Sequence, residues 1–244
     1  MSDGSYVSLV AVAAMWGAAA GALLPRAAYR FSVPSGEAWR TACPAGHGVR
    51  GWLGGARCGR CAGPPYGPGA ASVVVTALVC AALAAATGTR PELGVWLLLA
   101  PAGVLLAVID VRVQRLPDPL TLPFAAAALI LLGLTALLPE HAGEWTTALL
   151  GSLALGAGYF VLFLVNPGGM GFGDVKLALG AGAVLGWYGW PTVMLGTLAG
   201  FVSGALYGGA LVVARKAGRK TAVPFGPFLI GGALVGLLIG AYTA

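Results

Sequence analysis

Apolar runs long enough to cross a bilayer recur eight times along this 244-residue chain, and this restricts it to a bundle of membrane helices. About 20 apolar residues span the hydrocarbon core as a helix. The runs lie near 6–24, 70–88, 92–109, 119–138, 147–165, 175–188, 190–214 and 222–242. The run at 175–188 is short and Gly-rich, the weakest candidate for a full crossing. Only 9% of the residues are charged and the mean hydropathy is +0.87. A soluble domain carries about 25% charged residues, so this chain could not cover a surface facing water. Its 40 glycines, with Ala and Ser, fill the apolar runs. Small residues let helices approach closely where lipid removes the hydrophobic drive for association.

Net charge is +6, and its placement sets the orientation. Arg26, Arg30, Arg40, Arg50, Arg57 and Arg60 lie between the first two runs. Arg112 and Arg115 follow the third, Lys176 follows the fifth, and Arg215, Lys216, Arg219 and Lys220 follow the seventh. If every run crosses, these positions share one side, and only Arg90 faces the other with Glu92, Glu140 and Glu144. Basic loops stay cytoplasmic, so both termini are expected outside. The charge also predicts attraction to anionic lipid headgroups, and no nucleic-acid partner is expected. The start, MSDGSY, has no basic stretch before its apolar run, so no cleavable signal peptide is expected.

The expected fold class is therefore all-α, a polytopic membrane helix bundle of about eight transmembrane helices. A small cytoplasmic zinc-binding-like insertion follows the first helix. The organisation reads as 1–24, first transmembrane helix; 25–69, Cys/His module; and 70–244, the remaining transmembrane domain. The segment 25–69 is rich in Gly, Pro, Arg and Cys and lacks helical periodicity. Within it Cys43, His47, Cys58 and Cys61 form two pairs separated by a short loop. That spacing suits tetrahedral zinc with Cys3His ligation, and a module with little core gains stability from a metal. A flexible loop with reactive thiols is the other reading. Nothing suggests an open coordination position, so the metal is read as structural. Cys80, inside an apolar run, is expected as a small buried side chain. His141, beside Glu140, is expected to be solvated.

Acids at membrane depth are costly and need a reason. Asp110 ends the third run and Asp174 stands where a Gly-rich loop meets the sixth. Both fall on the predicted cytoplasmic side at similar depth. Two close carboxylates share a proton, so one can act as general base while the other polarises a carbonyl. Helix capping or pairing with Arg serves each aspartate equally well from spacing alone. For Asp118, in an LPDP turn, capping is the expected role. Gly171 and Gly173 would let backbone approach an extended substrate. Lys176 either snorkels to the headgroups or biases the carboxylate pair.

Four stretches together resemble the bacterial type IV prepilin peptidases, GxGD aspartic membrane peptidases. IDVRVQRLPDPLTLP is similar to that family's first aspartate motif and GMGFGDVKLALG to its second. VPFGPFLIGG at 223–232 resembles its last-span motif, and GALLPRAAYR at 21–30 echoes its first-span exit, which usually reads GSFLNVVIYR. The resemblance covers nearly the whole chain. It implies that Asp110 and Asp174 are the catalytic pair, cleaving leader peptides of prepilins or pseudopilins at the bacterial cytoplasmic membrane with no cofactor. Such substrates carry a short basic leader, a Gly before the cut and an apolar helix after it. The resemblance further implies N-methylation of the new N-terminus by S-adenosylmethionine. The family usually presents two CxxC pairs in its module; here CPAGH puts His47 in place of one Cys. A membrane transporter, or a non-enzymatic assembly protein docking through the Cys/His module, would also use buried aspartates.

Overall fold

A backbone amide in hydrocarbon finds no water, so a membrane chain must bond its own peptide groups within each segment. The computed structural model describes residues 3–61, 65–214 and 224–244. Among these residues the chain forms eight helices. They are α1 (Asp3–Phe31), α2 (Ala70–Thr87), α3 (Glu92–Val113), α4 (Asp118–Thr135), α5 (Trp145–Val165), α6 (Phe172–Gly186), α7 (Trp190–Val213) and α8 (Gly226–Thr243). Seven are long and apolar enough to cross a membrane, all but α6. At 15 residues, α6 rises only about 22 Å, short of the roughly 30 Å hydrocarbon core. The protein is a multi-pass membrane protein. α1 runs on to Phe31, beyond the expected end at 24, because the basic residues Arg26 and Arg30 extend its last turns past the apolar run. The start of the expected last span, at 222–223, lies outside the described residues, as do Arg215, Lys216, Arg219 and Lys220.

The chain divides into two compact units, Met1–Thr89 with Leu93–Arg115, and Arg90–Glu92 with Leu116–Ala244. In each, small and polar residues share the core with a few bulky ones, such as Trp96 and Leu106 in the first unit and Trp187 and Leu185 in the second, while many other bulky apolar side chains face outward. α2 buries Ser72, Thr76, Cys80 and Ala84, while Val74, Val75 and Leu78 are exposed. This reverses the pattern of a water-soluble helix and fits packing-driven association in lipid. In the first unit, a Cβ on Gly17 would lie 2.5 Å from the Thr76 carbonyl oxygen, and one on Gly21 would lie 2.6 Å from that of Ser72. Only glycine permits α1 and α2 to touch backbone to backbone. Further along, Ala13, Ala84 and Leu93 join α1, α2 and α3 in one apolar cluster. In the second unit, α5 and α6 meet the same way, since a Cβ on Gly151 would lie 2.6 Å from the Gly182 oxygen.

Two prolines inside the helices of the first unit expose a further constraint. Proline has no N–H, so the carbonyl four residues earlier loses its intrahelical donor. Pro25 in α1 frees the Gly21 carbonyl, and Ser72 Oγ donates to it at 3.0 Å. Pro101 in α3 frees the Leu97 carbonyl, and Trp16 Nε1 donates to it at 2.9 Å. Each kink-forming residue is thus matched by a donor on a neighbouring helix.

In the second unit, Glu92 is fully buried at the start of α3. One carboxylate oxygen accepts from Tyr188 Oη at 3.2 Å and the Ala142 N–H at 3.4 Å, and lies 3.7 Å from Arg90 Nε. Arg90 also donates to the Ala241 carbonyl. These bonds tie the start of α3 to the α4–α5 and α6–α7 connections and to the end of α8.

The pairing of Trp16 with Pro101 yields a thermodynamic cycle. Trp16→Phe should lower the unfolding free energy by about 0.5–2 kcal/mol, the cost of orphaning a carbonyl in the bundle. In a Pro101→Ala background, where the introduced alanine supplies its own N–H, that cost should vanish. Reversible unfolding in mixed micelles measures all four corners; equal costs in both backgrounds would refute the account.

Candidate active site and Cys/His centre

Three acidic residues are buried among those whose side chains are described: Glu92, Asp110 and Asp174. Glu92 is occupied by the contacts just described. Asp110 and Asp174 are each close to a helix end, where a carboxylate can be reached from outside the apolar layer. Asp110 belongs to the first unit and Asp174 to the second.

Asp110 is 4% exposed in the last turn of α3. The helix stops just beyond it, where Gln114 adopts a left-handed φ of 49° and donates its N–H to the Asp110 carbonyl at 2.8 Å. A left-handed residue commonly ends a helix this way. Arg115 then turns to the Pro34 carbonyl at 2.9 Å and stacks over Trp39 at 4.7 Å.

Asp174 is 6% exposed in the first turn of α6. Its Oδ2 accepts the Gly171 N–H at 3.1 Å, and its own N–H donates to the Gly171 carbonyl at 3.0 Å. The reciprocal bonds pin the carboxylate at the positive end of the helix dipole. The two predicted loop glycines have separate local roles, one at the helix start and one in packing. Gly171 is the N-cap of α6, and a Cβ on Gly173 would lie 2.8 Å from Leu116 Cβ. Gly173 therefore lets the start of α6 press against the segment that leads into α4.

Lys176 pairs with an aspartate of α4: its Nζ lies 2.6 Å from Asp118 Oδ1 and 4.9 Å above the Phe172 ring. Asp118 makes no capping bond at the start of α4, whose N-cap is Pro117. Its carboxylate is drawn to the ammonium instead, in a pair that is largely solvent-exposed on the Asp118 side. An exposed pair of this kind contributes about 0–1 kcal/mol. Tyr159 on α5 was not legible as a site residue. It is buried within electrostatic range of Asp174, ringed by Phe201 and Phe225, and its hydroxyl has no hydrogen-bond partner among the described residues.

The four predicted ligands converge in the first unit. Cys43, His47, Cys58 and Cys61 bring their donor atoms within 4.8 Å of one another. A tight turn forms the first pair: the Cys43 N–H donates to the His47 carbonyl at 2.8 Å, and Gly46 supplies the φ of 84° that closes it. Cys43 Sγ lies 3.7 Å from Cys61 Sγ and 3.8 Å from His47 Nδ1. The edge of a tetrahedron built on metal–sulfur bonds of about 2.3 Å is about 3.8 Å, so these two separations are those a tetrahedral ion needs; His47 Nδ1 and Cys61 Sγ are closer, at 3.2 Å. Burial raises the Cys43 thiol, but hydrogen bonds from the His47 and Ala45 backbone and from the His47 and Cys61 side chains outweigh it and hold it at about 6. Cys61 is pushed up to about 11 by its bond to Cys58, by burial and by Cys43. Crowded thiols cannot all ionise without a cation among them, and this donor set could hold one. Cys80 is wholly buried in α2 and apart from this cluster. His141 is not simply solvated: it is half-buried, with Nδ1 2.9 Å from the Gly143 carbonyl and its ring beside Trp187.

The module is held to α1 by arginines that the charge pattern had assigned only a topological role. Arg30 donates to the Arg40 carbonyl at 2.9 Å and the Gly51 carbonyl at 2.7 Å, and lies 3.7 Å over the Trp52 ring. Arg26, one turn earlier, donates to the Arg50 and Gly55 carbonyls. Their spacing of four puts both on one face of the helix, a signal present in the sequence.

The model of the type IV leader peptidase family matches residues 97–209, a span that contains Asp110, Asp118, Asp174 and Lys176. The chain is 39% identical over 152 residues to a prepilin leader peptidase/N-methyltransferase of Stutzerimonas stutzeri, covering 61% of this chain and 50% of that protein. It is 32% identical over 234 residues to the protein of the same name from Pseudomonas aeruginosa, covering 88% and 75%. With the Bacillus subtilis protein of that name it shares 34% over 175 residues, 67% and 64% of the two chains. The match thus spans about half the length of the first of these relatives and three quarters of the second. No solved structure matches significantly. On the combined strength of the family match and the Pseudomonas relative, the chain belongs to the type IV leader peptidase family.

Proposed function

We propose that this protein is an aspartic endopeptidase that removes the leader peptide of type IV prepilins or pseudopilins, with Asp110 and Asp174 as its catalytic pair. The observation that carries this reading is that these two carboxylates are buried near helix ends, inside the segment that matches the family. In the proposed reaction the ionised aspartate takes a proton from water, and the hydroxide equivalent attacks the scissile carbonyl. The protonated aspartate donates to the carbonyl oxygen. Collapse of the tetrahedral adduct breaks the C–N bond, and the amine leaves with a proton returned by the pair. The bond that Asp174 accepts from the Gly171 N–H fixes its rotamer. Gly171, Gly173 and Lys176 would shape the loop over which an extended substrate lies, and residues 70–244 would make up the peptidase domain. Recognition would rest on the apolar helix of the substrate and the residues at the cut, because basic loops do not attract a basic leader.

The same reading sets the protein in the bacterial cytoplasmic membrane, with the Cys/His module and both aspartates on the cytoplasmic face. Its support is the Arg and Lys of the segments after α1, α3 and α5, which share one side when the five candidate spans α1 to α5 cross. Zinc is the proposed ion of the Cys43, His47, Cys58 and Cys61 cluster, in a structural role. Methylation of the new N-terminus by S-adenosylmethionine is the second proposed activity, from the N-methyltransferase names of the relatives.

With a prepilin co-expressed, Asp110→Asn and Asp174→Asn should each lower cleavage by about 10²–10⁴-fold, the range for loss of general acid–base catalysis. Glu92→Gln should leave it within a few-fold. Mass spectrometry of the pilin reads the cut and any added methyl group together; normal cutting by either Asn variant would overturn the dyad. For the metal, the purified chain should carry zinc by elemental analysis, and Cys58→Ser should lose it and become sensitive to protease within 32–69. His47→Cys should retain it. Zinc content unchanged in Cys58→Ser would refute the assignment.

A further inference from the structure

Beside the Cys/His centre lies an open cleft of about 580 Å³ walled by Arg26, Arg50, Arg57 and Arg60, with Tyr66 at its side. Among the described residues, no carboxylate forms an ion pair with any of these four guanidinium groups. The segment 25–69 contains six arginines and a single acid, Glu37. Arg50, Arg57 and Arg60 are exposed and make no side-chain hydrogen bond to a described residue. Arg26 is anchored through Nη1 and Nη2 to the Arg50 and Gly55 carbonyls, while its buried Nε has no partner. A Cys3His centre filled by a divalent ion carries a formal charge of only minus one. The cleft therefore stays strongly positive with the centre loaded.

We infer that this cleft is a binding site for a phosphate-bearing group, and that the headgroup of an anionic phospholipid is its source. Guanidinium forks match phosphate oxygens in a bidentate manner, and several converging on one opening favour phosphate over a lone carboxylate. Position selects the lipid. Arg26 lies 22 residues beyond Gly4, the first residue of the α1 span, a rise of about 33 Å, which equals the hydrocarbon thickness. Its guanidinium thus sits at headgroup depth. Next to the cleft, Trp52 and Leu53 are 39% and 60% exposed at the tip of the same loop. Trp52 is held there by Arg30 and by stacking on Phe31, ring centroids 4.6 Å apart. An exposed Trp–Leu tip beside a cluster of arginines is the arrangement of a loop resting in the membrane interface. A bound headgroup would bridge Arg26 of α1 to Arg57 and Arg60, which flank Cys58, and so couple the lipid to the shape of the metal-binding loop.

The test uses the full-length protein in a neutral detergent, titrated with phosphatidylglycerol, phosphatidylcholine or inorganic phosphate. Native mass spectrometry reads bound lipid and the thermal midpoint reads stabilisation. Phosphatidylglycerol should bind and stabilise, phosphatidylcholine should not, and phosphate should compete weakly. The triple variant Arg50→Gln/Arg57→Gln/Arg60→Gln should weaken phosphatidylglycerol binding by about tenfold or more. Arg219→Gln/Lys220→Gln, which removes the same kind of charge from the stretch of sequence between α7 and α8, should change it less than twofold. If the triple variant proves unstable, Arg57→Gln and Arg60→Gln singly should each weaken binding measurably. Equal losses in the triple and control variants, or equal binding of both lipids, would overturn the site. Saturation by phosphate without competition from phosphatidylglycerol would overturn the lipid as its source.

Discussion

Every feature of this protein follows from the need of each peptide group to find a partner where water is absent. Helices meet that need within a segment, and in the first unit two interior prolines break it at known places. At Pro25 and Pro101 the freed carbonyls are taken by Ser72 and Trp16 from adjacent helices. These side chains therefore set which faces of α1, α2 and α3 meet. The same pressure explains why glycine lines the contacts: without a hydrophobic drive, stability comes from the closeness of backbones. At Gly17, Gly21 and Gly151 the neighbouring carbonyl already occupies the space of a side chain.

Charges are governed by the same solvent. The three buried acids have distinct environments. Glu92 is consumed by Arg90, Tyr188 and the Ala142 amide, and it serves the architecture of the second unit. Asp174 is fixed by a backbone amide at a helix start, where an anion is welcome. Asp110 sits where α3 ends in a left-handed turn. A helix end offers both a stable place for a carboxylate and access from outside the apolar layer. The Cys/His module solves a different problem, since a short polar segment has little apolar core. It leans on arginines reaching from α1 into its carbonyls and on a ligand set of tetrahedral dimensions.

Much of this was legible in the sequence. The helices follow the apolar runs closely because length and hydropathy are one-dimensional properties, and a bilayer reads them directly. The shortness of 175–188 foretold that α6 would be the one helix too short to cross by length. The ligand set was legible too, since two pairs joined by a short loop converge with little help from the rest of the fold. Asp110 and Asp174 stood out because an acid in an apolar chain is expensive wherever it lies. The pair of Lys176 with Asp118 was not legible, because nothing local says that two residues 58 positions apart meet.

The sequence by itself determined the solvent, the helices, the charge distribution and the chemistry of the candidate residues, since each depends on composition within one short stretch. Only the tertiary structure decided which polar group each residue meets. It turned Glu92 from a loop charge into a buried anchor, and Gly173 from open backbone into a packing contact with Leu116. It also turned Arg26 and Arg30 from markers of orientation into supports of the Cys/His loop. Such pairings rest on distances of a few ångströms between segments far apart in the chain, and only close packing of helices sets them.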